Sequence, residues 1–136
     1  MFDFIKKGVE FNKLAQSFNA MYLMLRDIEA RLDRNRDNLS AFRNEVKEEI
    51  YILAYIAHKG IVTRMDNYNW GFEALISIPT ISSSRITLGN AWSKTVTKMN
   101  LIAGILDLSE GIEEINNEGP LFQKLEDIIP PRLKNW

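Results

Sequence analysis

The sequence contains no cysteine and a single histidine, and both scarcities restrict the chemistry available to the chain. Without cysteine there is no disulfide, thiolate metal site or cysteine nucleophile. A di-iron bundle needs Glu-x-x-His pairs on facing helices, which one histidine cannot supply. We therefore predict no metal ion, no cofactor and no catalytic residue, and we favour a non-enzymatic protein.

Neither sign of charge dominates, since 17 Lys and Arg face 18 Asp and Glu for a formal net charge of −1. A nucleic-acid binder normally carries a basic excess, so we predict no nucleic-acid partner. The composition, with 46% hydrophobic and 26% charged residues, is typical of a globular protein. Its length of 136 residues predicts one helical domain over residues 1–136.

Long apolar runs are also missing. The longest, Ile50–Ala57 and Leu101–Leu106, are far shorter than the roughly 20 residues that cross a bilayer. The N-terminus has no small-residue cleavage site of the kind that ends a secretory signal. These features predict a soluble cytoplasmic protein without a transmembrane segment.

Glycine and proline are absent from Val9 to Lys59, a stretch that is therefore expected to be helical. Apolar residues recur there with a seven-residue period, which indicates helices packed along one face. The a positions are Phe4, Phe11, Phe18, Leu25, Leu32, Leu39, Val46 and Leu53, and the d positions include Leu14, Met21, Ile28, Phe42 and Ile56. The fold class predicted is all-α.

Two arrangements of this helical stretch are open. One continuous helix over residues 3–59 would be about 85 Å long, far beyond a globule with a radius of gyration near 14 Å, and would need an oligomer to cover it. The other is an N-terminal helical hairpin broken within residues 33–38, with Asn38 or Ser40 opening the second helix. We favour the hairpin because it keeps the chain compact.

The second half contains more helix-breaking residues, and Gly60 is a candidate break in helix two. Residues 66–71 read as a loop, and residues 72–78 as a short helix or an extended segment. Ser82–Ser84 could cap a third long helix that reaches Leu106, and Ser109 a short acidic helix. Pro120 is expected to start a last amphipathic helix. Together, these elements predict a bundle of three long and one or two short helices.

His58 is the centre of the rival function, an enzyme or phosphotransfer protein that also uses the carboxylates of Glu45, Glu48 and Glu49. The residues His58, Lys59 and Gly60 resemble in type those of histidine phosphotransfer domains. There, however, lysine and glycine follow one turn later, whereas Lys59 points about 100° away from His58. The spacing argues against this rival.

Charged side chains alternate in sign around Arg26, Arg31, Arg34 and Arg36. Asp27 and Arg31 stand at the favourable i,i+4 spacing, which predicts a salt-bridged face rather than a nucleic-acid site. The segment Ser82–Arg85 leaves a second alternative open, an anion bound at a helix start.

The apolar face of helix one is the predicted functional surface because its width exceeds what one neighbouring helix covers. We predict an interaction module with a regulatory, chaperone, immunity or assembly role, which binds a partner helix or self-associates as a homo-oligomer. The predicted interface residues are Phe4, Phe11, Leu14, Phe18, Met21, Leu25 and Ile28.

Overall fold

A computed structural model describes residues 2–64, 73–75 and 85–129, with side chains described for residues 16–60 and 90–129. The helices of this part are α1 (Phe2–Arg34), α2 (Leu39–Arg64), α3 (Leu88–Ile105), α4 (Ser109–Asn116) and α5 (Pro120–Ile128). Three are long and two are short, and they pack together as a bundle, which confirms the predicted all-α class.

The first helix ends within the polar segment that the sequence marks as a break. α1 stops at Arg34 and α2 starts at Leu39, so the two are separate helices. The backbone N–H of Asn38 donates to the Asn35 carbonyl, which closes the turn, and the Phe42 N–H donates to the Asn38 carbonyl. Asn38 therefore opens α2, one of the two residues predicted for that role.

Arg31 joins α1 to α2. Its Nη2 donates to Glu45 Oε1 at 2.8 Å and its Nη1 to Glu49 Oε2 at 3.0 Å, both on α2. Nη1 also reaches Asp27 Oδ2 at 3.2 Å, which confirms the predicted i,i+4 ion pair. The hydrogen bond to Glu45 is the largest of the effects that raise the pKa of Arg31. Arg31 of the predicted mixed-charge face therefore links α1 to α2 through ion pairs.

A short antiparallel ladder precedes α3, where a helix entry was expected. β1 (Glu73–Leu75) pairs with β2 (Arg85–Thr87) so that Glu73 lies opposite Thr87. The expectation that Ser82–Ser84 cap α3 is wrong in position, because α3 begins only at Leu88. Ile86 and Thr87 are β-branched and prefer the extended conformation. Ser82–Ser84 themselves lie outside the described residues.

The core is one cluster of buried side chains contributed by all five helices, and α2 supplies its centre. Gly60 lies inside α2 without interrupting it, since the helix continues to Arg64. A Cβ at Gly60 would overlap the indole ring of Trp92, whose Nε1 donates to the Ala57 carbonyl at 3.3 Å. Glycine here allows α3 to approach the backbone of α2.

The bundle's shorter helices are separated by tight turns. α3 ends at Ile105, and Leu108 N–H donates to the Ala103 carbonyl at 2.8 Å in a Schellman-type closure. Leu108, not Ser109, occupies the N-cap of α4, so the expected serine cap is wrong. Pro120 takes the first position of α5 as predicted. Among the described helices, none has the length and apolar character needed to cross a membrane.

Candidate functional site

The predicted interface on α1 falls into two parts. Phe18, Met21, Leu25 and Ile28 are buried in the chain's own core, because α1 packs against both α2 and α3. The wide apolar face therefore has two intramolecular neighbours over this stretch. The side chains of the other predicted interface residues, Phe4, Phe11 and Leu14, lie outside the described part, and their role stays a prediction.

His58 is buried on α2, away from the carboxylates with which the rival function grouped it. Its Nε2 atom has no hydrogen-bond partner and lies 3.7 Å from Glu118 Oε1. Its ring meets the Phe122 ring edge-on, with the centroids 5.6 Å apart. Glu45 and Glu49 instead bind Arg31 on the α1 side. The structure does not bring His58 and these two carboxylates into one site.

A polar cluster beside His58 attaches α5 to α2. The Tyr55 hydroxyl donates to Glu126 Oε2 at 2.6 Å, and Lys59 Nζ reaches Glu126 Oε1 at 3.2 Å. The Tyr55 ring packs on Phe122 with 5.3 Å between centroids. Burial is the main cause that raises the pKa of Tyr55, and the Glu126 carboxylate raises it further. The tyrosine thus stays protonated as a donor, and the cluster has a structural role.

Two turns, one after α3 and one after α4, contain non-glycine residues in the left-handed region of backbone conformation. Asp107 follows α3 with φ of 58°, and Glu118 follows α4 with φ of 54°. Each residue's N–H closes its turn, Asp107 to the Gly104 carbonyl and Glu118 to the Ile115 carbonyl. Glycine adopts this conformation freely, whereas for other residues it costs about 1–2 kcal/mol of conformational free energy.

Glycine substitutions at these turns should therefore stabilise the protein unequally. We expect Asp107→Gly to raise the free energy of unfolding by about 1 kcal/mol. Glu118→Gly should gain less, because it also removes the carboxylate that faces His58 Nε2. Urea unfolding of both variants measures the difference. Equal gains would show that the Glu118–His58 contact contributes nothing to stability.

A groove lies between α2, α4 and α5, and we call it the α5 groove. Its volume is about 890 Å³. Its lining comprises Arg43, Asn44, Glu45, Lys47, Glu48, Tyr51, Ile52, Asp107, Leu108, Glu110, Gly111, Glu114, Pro120, Leu121, Lys124, Leu125 and Ile128. Apolar side chains from α2 and α5 and charged side chains from all three helices therefore meet in one depression.

Apolar surface in the α5 groove is accessible within the described part of the chain. Ile128 on α5 is 61% exposed, and Ile52 and Leu121 are half-buried against the core. Large aliphatic side chains that are partly exposed to solvent along a concave surface are typical of a docking site. Leu125 beneath them is buried and joins the groove to the core.

Close packing of α2 against α4 shapes the groove. The Tyr51 ring lies so near Gly111 that a Cβ on Gly111 would overlap it. Lys47 Nζ lies 5.9 Å from the centroid of the same ring, within cation–π range. Glu114 Oε1 accepts the Leu121 N–H at 2.9 Å, which holds the start of α5. The walls are therefore fixed by interactions between all three helices.

The α5 groove is not among the surfaces predicted from the sequence. One available signal was the adjacent pair Ile128 and Ile129, the last residue of α5 and its extended C-cap, since the side chains of consecutive residues there do not share one face. Ile129 is buried and Ile128 is exposed. The side of α5 that is exposed to solvent depends on where α2 and α4 pack. The local sequence pattern of α5 does not contain that information.

The described residues contain no group of three or more histidine or acidic side chains that could hold a metal ion. No family model, curated protein or solved structure is significantly similar to this chain.

Proposed function

We propose that the protein is a non-enzymatic interaction module that binds one amphipathic helix of another protein in the α5 groove. The observation that carries the proposal is the exposed Ile128 beside half-buried Ile52 and Leu121 along a depression of about 890 Å³. A protein partner and a cytoplasmic location are both parts of this proposal.

The dimensions of the groove suit a short helix. On α2 its lining runs from Arg43 to Ile52, a rise of about 14 Å at 1.5 Å per residue. Roughly three turns of a bound helix have this length, and such a helix presents anchors at i, i+3, i+4 and i+7. Ile52, Leu121 and Ile128 would receive those anchors.

The docking surface in this proposal differs from the α1 face predicted from the sequence. Phe18, Met21, Leu25 and Ile28 already stabilise the bundle by apolar burial, and exposing them would cost that stabilisation. The α5 groove offers apolar surface without unfolding any described element. The function predicted, an interaction module, is therefore retained with a different surface.

Photo-crosslinking tests the position of the docking surface. A benzophenone amino acid replaces Ile128 in the groove or, as matched control, Leu101, which is exposed on α3 outside the groove lining. We expect protein adducts from position 128 and none from position 101 when the protein is expressed in its own cells. Mass spectrometry of the adduct should locate the crosslink in an amphipathic helical segment.

A second substitution separates specific binding from chance capture. Leu121→Ser in the benzophenone-128 protein should abolish the adduct while the circular dichroism spectrum stays helical. Adducts that persist in this variant, or that form equally from position 101, would contradict the proposed site. Crosslinks between two copies of the chain, together with a dimer in sedimentation velocity, would replace the partner helix by self-association.

A further inference from the structure

We propose that His58 and Glu118 form a pH-sensitive tether, which holds the turn between α4 and α5 against α2 when the imidazole ring is protonated and releases it when the ring is neutral. Neither residue lines the α5 groove, so this inference goes beyond the proposed docking function. It follows from the position of the chain's single histidine, which is buried beside a carboxylate without a hydrogen bond to it.

The Nε2 atom of His58 is buried and has no hydrogen-bond partner among the described residues. His58 as a whole is 8% exposed, so bulk water has little access to its ring. A buried polar atom that lacks a hydrogen bond destabilises the folded state and is uncommon in native proteins. The neutral ring therefore leaves one hydrogen bond unmade at this position.

The Glu118 carboxylate is placed to supply the missing partner. Its Oε1 atom lies 3.7 Å from His58 Nε2, which is within ion-pair range but longer than the about 2.7–3.2 Å of an N–H···O hydrogen bond. The Glu118 side chain is more than half exposed. A change of its rotamer can therefore shorten this distance without displacing any residue of the core.

Protonation of the ring makes Nε2 a donor for this carboxylate. Neutral histidine has one ring N–H, whose position depends on the tautomer, whereas the imidazolium ion donates from both nitrogens. A proton from solvent binds the ring, and Nε2–H then donates to Glu118 Oε1 in a charge-assisted hydrogen bond. Histidine is the side chain that ordinarily changes its charge between about pH 5 and 8. The tether should therefore form on acidification through this range.

The charged groups beside the ring on α2 and α5 do not oppose protonation. Lys59 is the neighbouring cation on α2, and its Nζ pairs with Glu126 Oε1 of α5 at 3.2 Å. The Tyr55 hydroxyl donates to the other oxygen of Glu126 and stays neutral, because burial raises the pKa of this tyrosine. Lys59 and Glu126 therefore offset each other, and the carboxylate of Glu118 adds one negative charge.

The remaining helices leave Glu118 as the partner of the ring. On α4, Glu114 already accepts a backbone N–H of α5. On α3, Trp92 packs against α2 at positions 57 and 60 and carries no charge. On α1, Arg31 binds α2 through Glu49 and the residue one turn earlier, about 13 Å along the helix from the ring. Among the described residues, Glu118 is thus the carboxylate left to pair with an imidazolium here.

Glu118 lies in the turn that sets the start of α5. Its N–H donates to the Ile115 carbonyl, and the Gly119 N–H donates to the Glu114 carbonyl. Pro120 then begins α5. A bond from Glu118 to α2 restrains this turn, so loss of the bond should let the two turn amides open to solvent more often. Because only the protonated ring makes the bond, the restraint is present at low pH and is lost as the pH rises through the titration of the ring.

NMR spectroscopy tests the tether directly, because one histidine gives one set of ring signals. The ¹⁵N signals of the His58 ring report its protonation between about pH 7.5 and about pH 5.5. The ¹³C signal of the Glu118 side-chain carboxyl reports the charge beside it, and we expect both signals to change with one midpoint. The carboxyl of Glu113, which is exposed on α4, is the control and should show no inflection there.

Hydrogen exchange measures the effect on the turn. After correction for the intrinsic pH dependence of exchange, the protection of the Glu118 and Gly119 amides should be about threefold higher at about pH 5.5 than at about pH 7.5, as expected for one partly exposed ion pair. The turn after α3 is the matched control, since Asp107 is also left-handed and its N–H also closes the turn. The protection of the Asp107 amide should be equal at both pH values.

Variants separate the tether from a general effect of acidity. Glu118→Gln keeps the shape of the side chain without its charge, and His58→Gln keeps a hydrogen-bonding group that does not titrate. Each should remove most of the pH-dependent protection, whereas Glu113→Gln should retain it. Glu118 is exposed, so the Glu118→Gln test holds even if His58→Gln fails to fold.

Three results would overturn the proposal. The first is a His58 ring that stays neutral down to about pH 5.5. The second is protection of the turn that falls on acidification, which would mean that the charged ring destabilises the turn. The third is pH-dependent protection that remains undiminished in Glu118→Gln.

Discussion

Phe18→Asp is expected to lower the free energy of unfolding by more than about 4 kcal/mol, the largest effect of any single change considered. Phe18 is 1% exposed, and its ring lies 5.9 Å from Tyr22 and 6.4 Å from Trp92 between centroids. The substitution removes the ring and places a carboxylate in an apolar site. Because small domains are stable by only about 5–15 kcal/mol, much of the chain should unfold. Urea unfolding followed by circular dichroism measures the loss.

Leu23→Asp provides the matched control on the same helix. Leu23 is 50% exposed, so the same substitution should change stability by no more than about 0.5 kcal/mol. A folded Phe18→Asp protein with an unchanged urea midpoint would contradict the burial of this part of α1. That result would return Phe18 to the open interface predicted from the sequence.

Gly60→Ala is expected to destabilise the protein by about 2 kcal/mol, although alanine normally favours a helix. The new methyl group would overlap the Trp92 indole, and Trp92 is itself fully buried with its Nε1 bonded to the Ala57 carbonyl. To remove this overlap, α3 would have to move away from α2, and the core would then be packed less closely. Thermal and urea unfolding of the variant measure the loss.

Gly104→Ala is the control, because a Cβ there meets nothing within 4 Å. It should stabilise the protein by up to about 1 kcal/mol, the ordinary helix preference of alanine over glycine. The two alanine substitutions should therefore act in opposite directions. In the Gly60→Ala background, Trp92→Phe should cost less than in the original protein, since the smaller ring vacates the overlap. Additive costs would show that the two residues do not touch.

Several elements of the fold were predictable because their signals are local. The seven-residue apolar period around Phe18, Leu25 and Leu32 identified the face of α1 that the structure buries. The polar segment 33–38 marked the end of α1, and Pro120 marked the start of α5. Periodicity and helix-terminal chemistry depend only on near neighbours, so one sequence suffices to read them.

Other elements depended on contacts distant in sequence. Gly60 is a weak helix former by local preference, yet α2 continues through it, and the Trp92 ring of α3 packs against it. The segment 85–87 extends as a strand because it pairs with residues 73–75. His58 faces Glu118 across 60 positions of sequence rather than the carboxylates on its own helix.

The candidate site likewise combines features that local sequence predicts with features that depend on long-range contacts. Each amphipathic helix has a readable apolar face, but the packing of neighbouring helices decides whether that face is covered. On α1, all four predicted interface residues whose side chains the structure describes are buried against α2 and α3, while on α5 the side bearing Leu121 and Ile128 stays accessible. The sequence by itself determined the helices and their apolar stripes, since these follow from local periodicity. Only the tertiary structure decided which stripe is core and which is surface, because burial depends on long-range contacts.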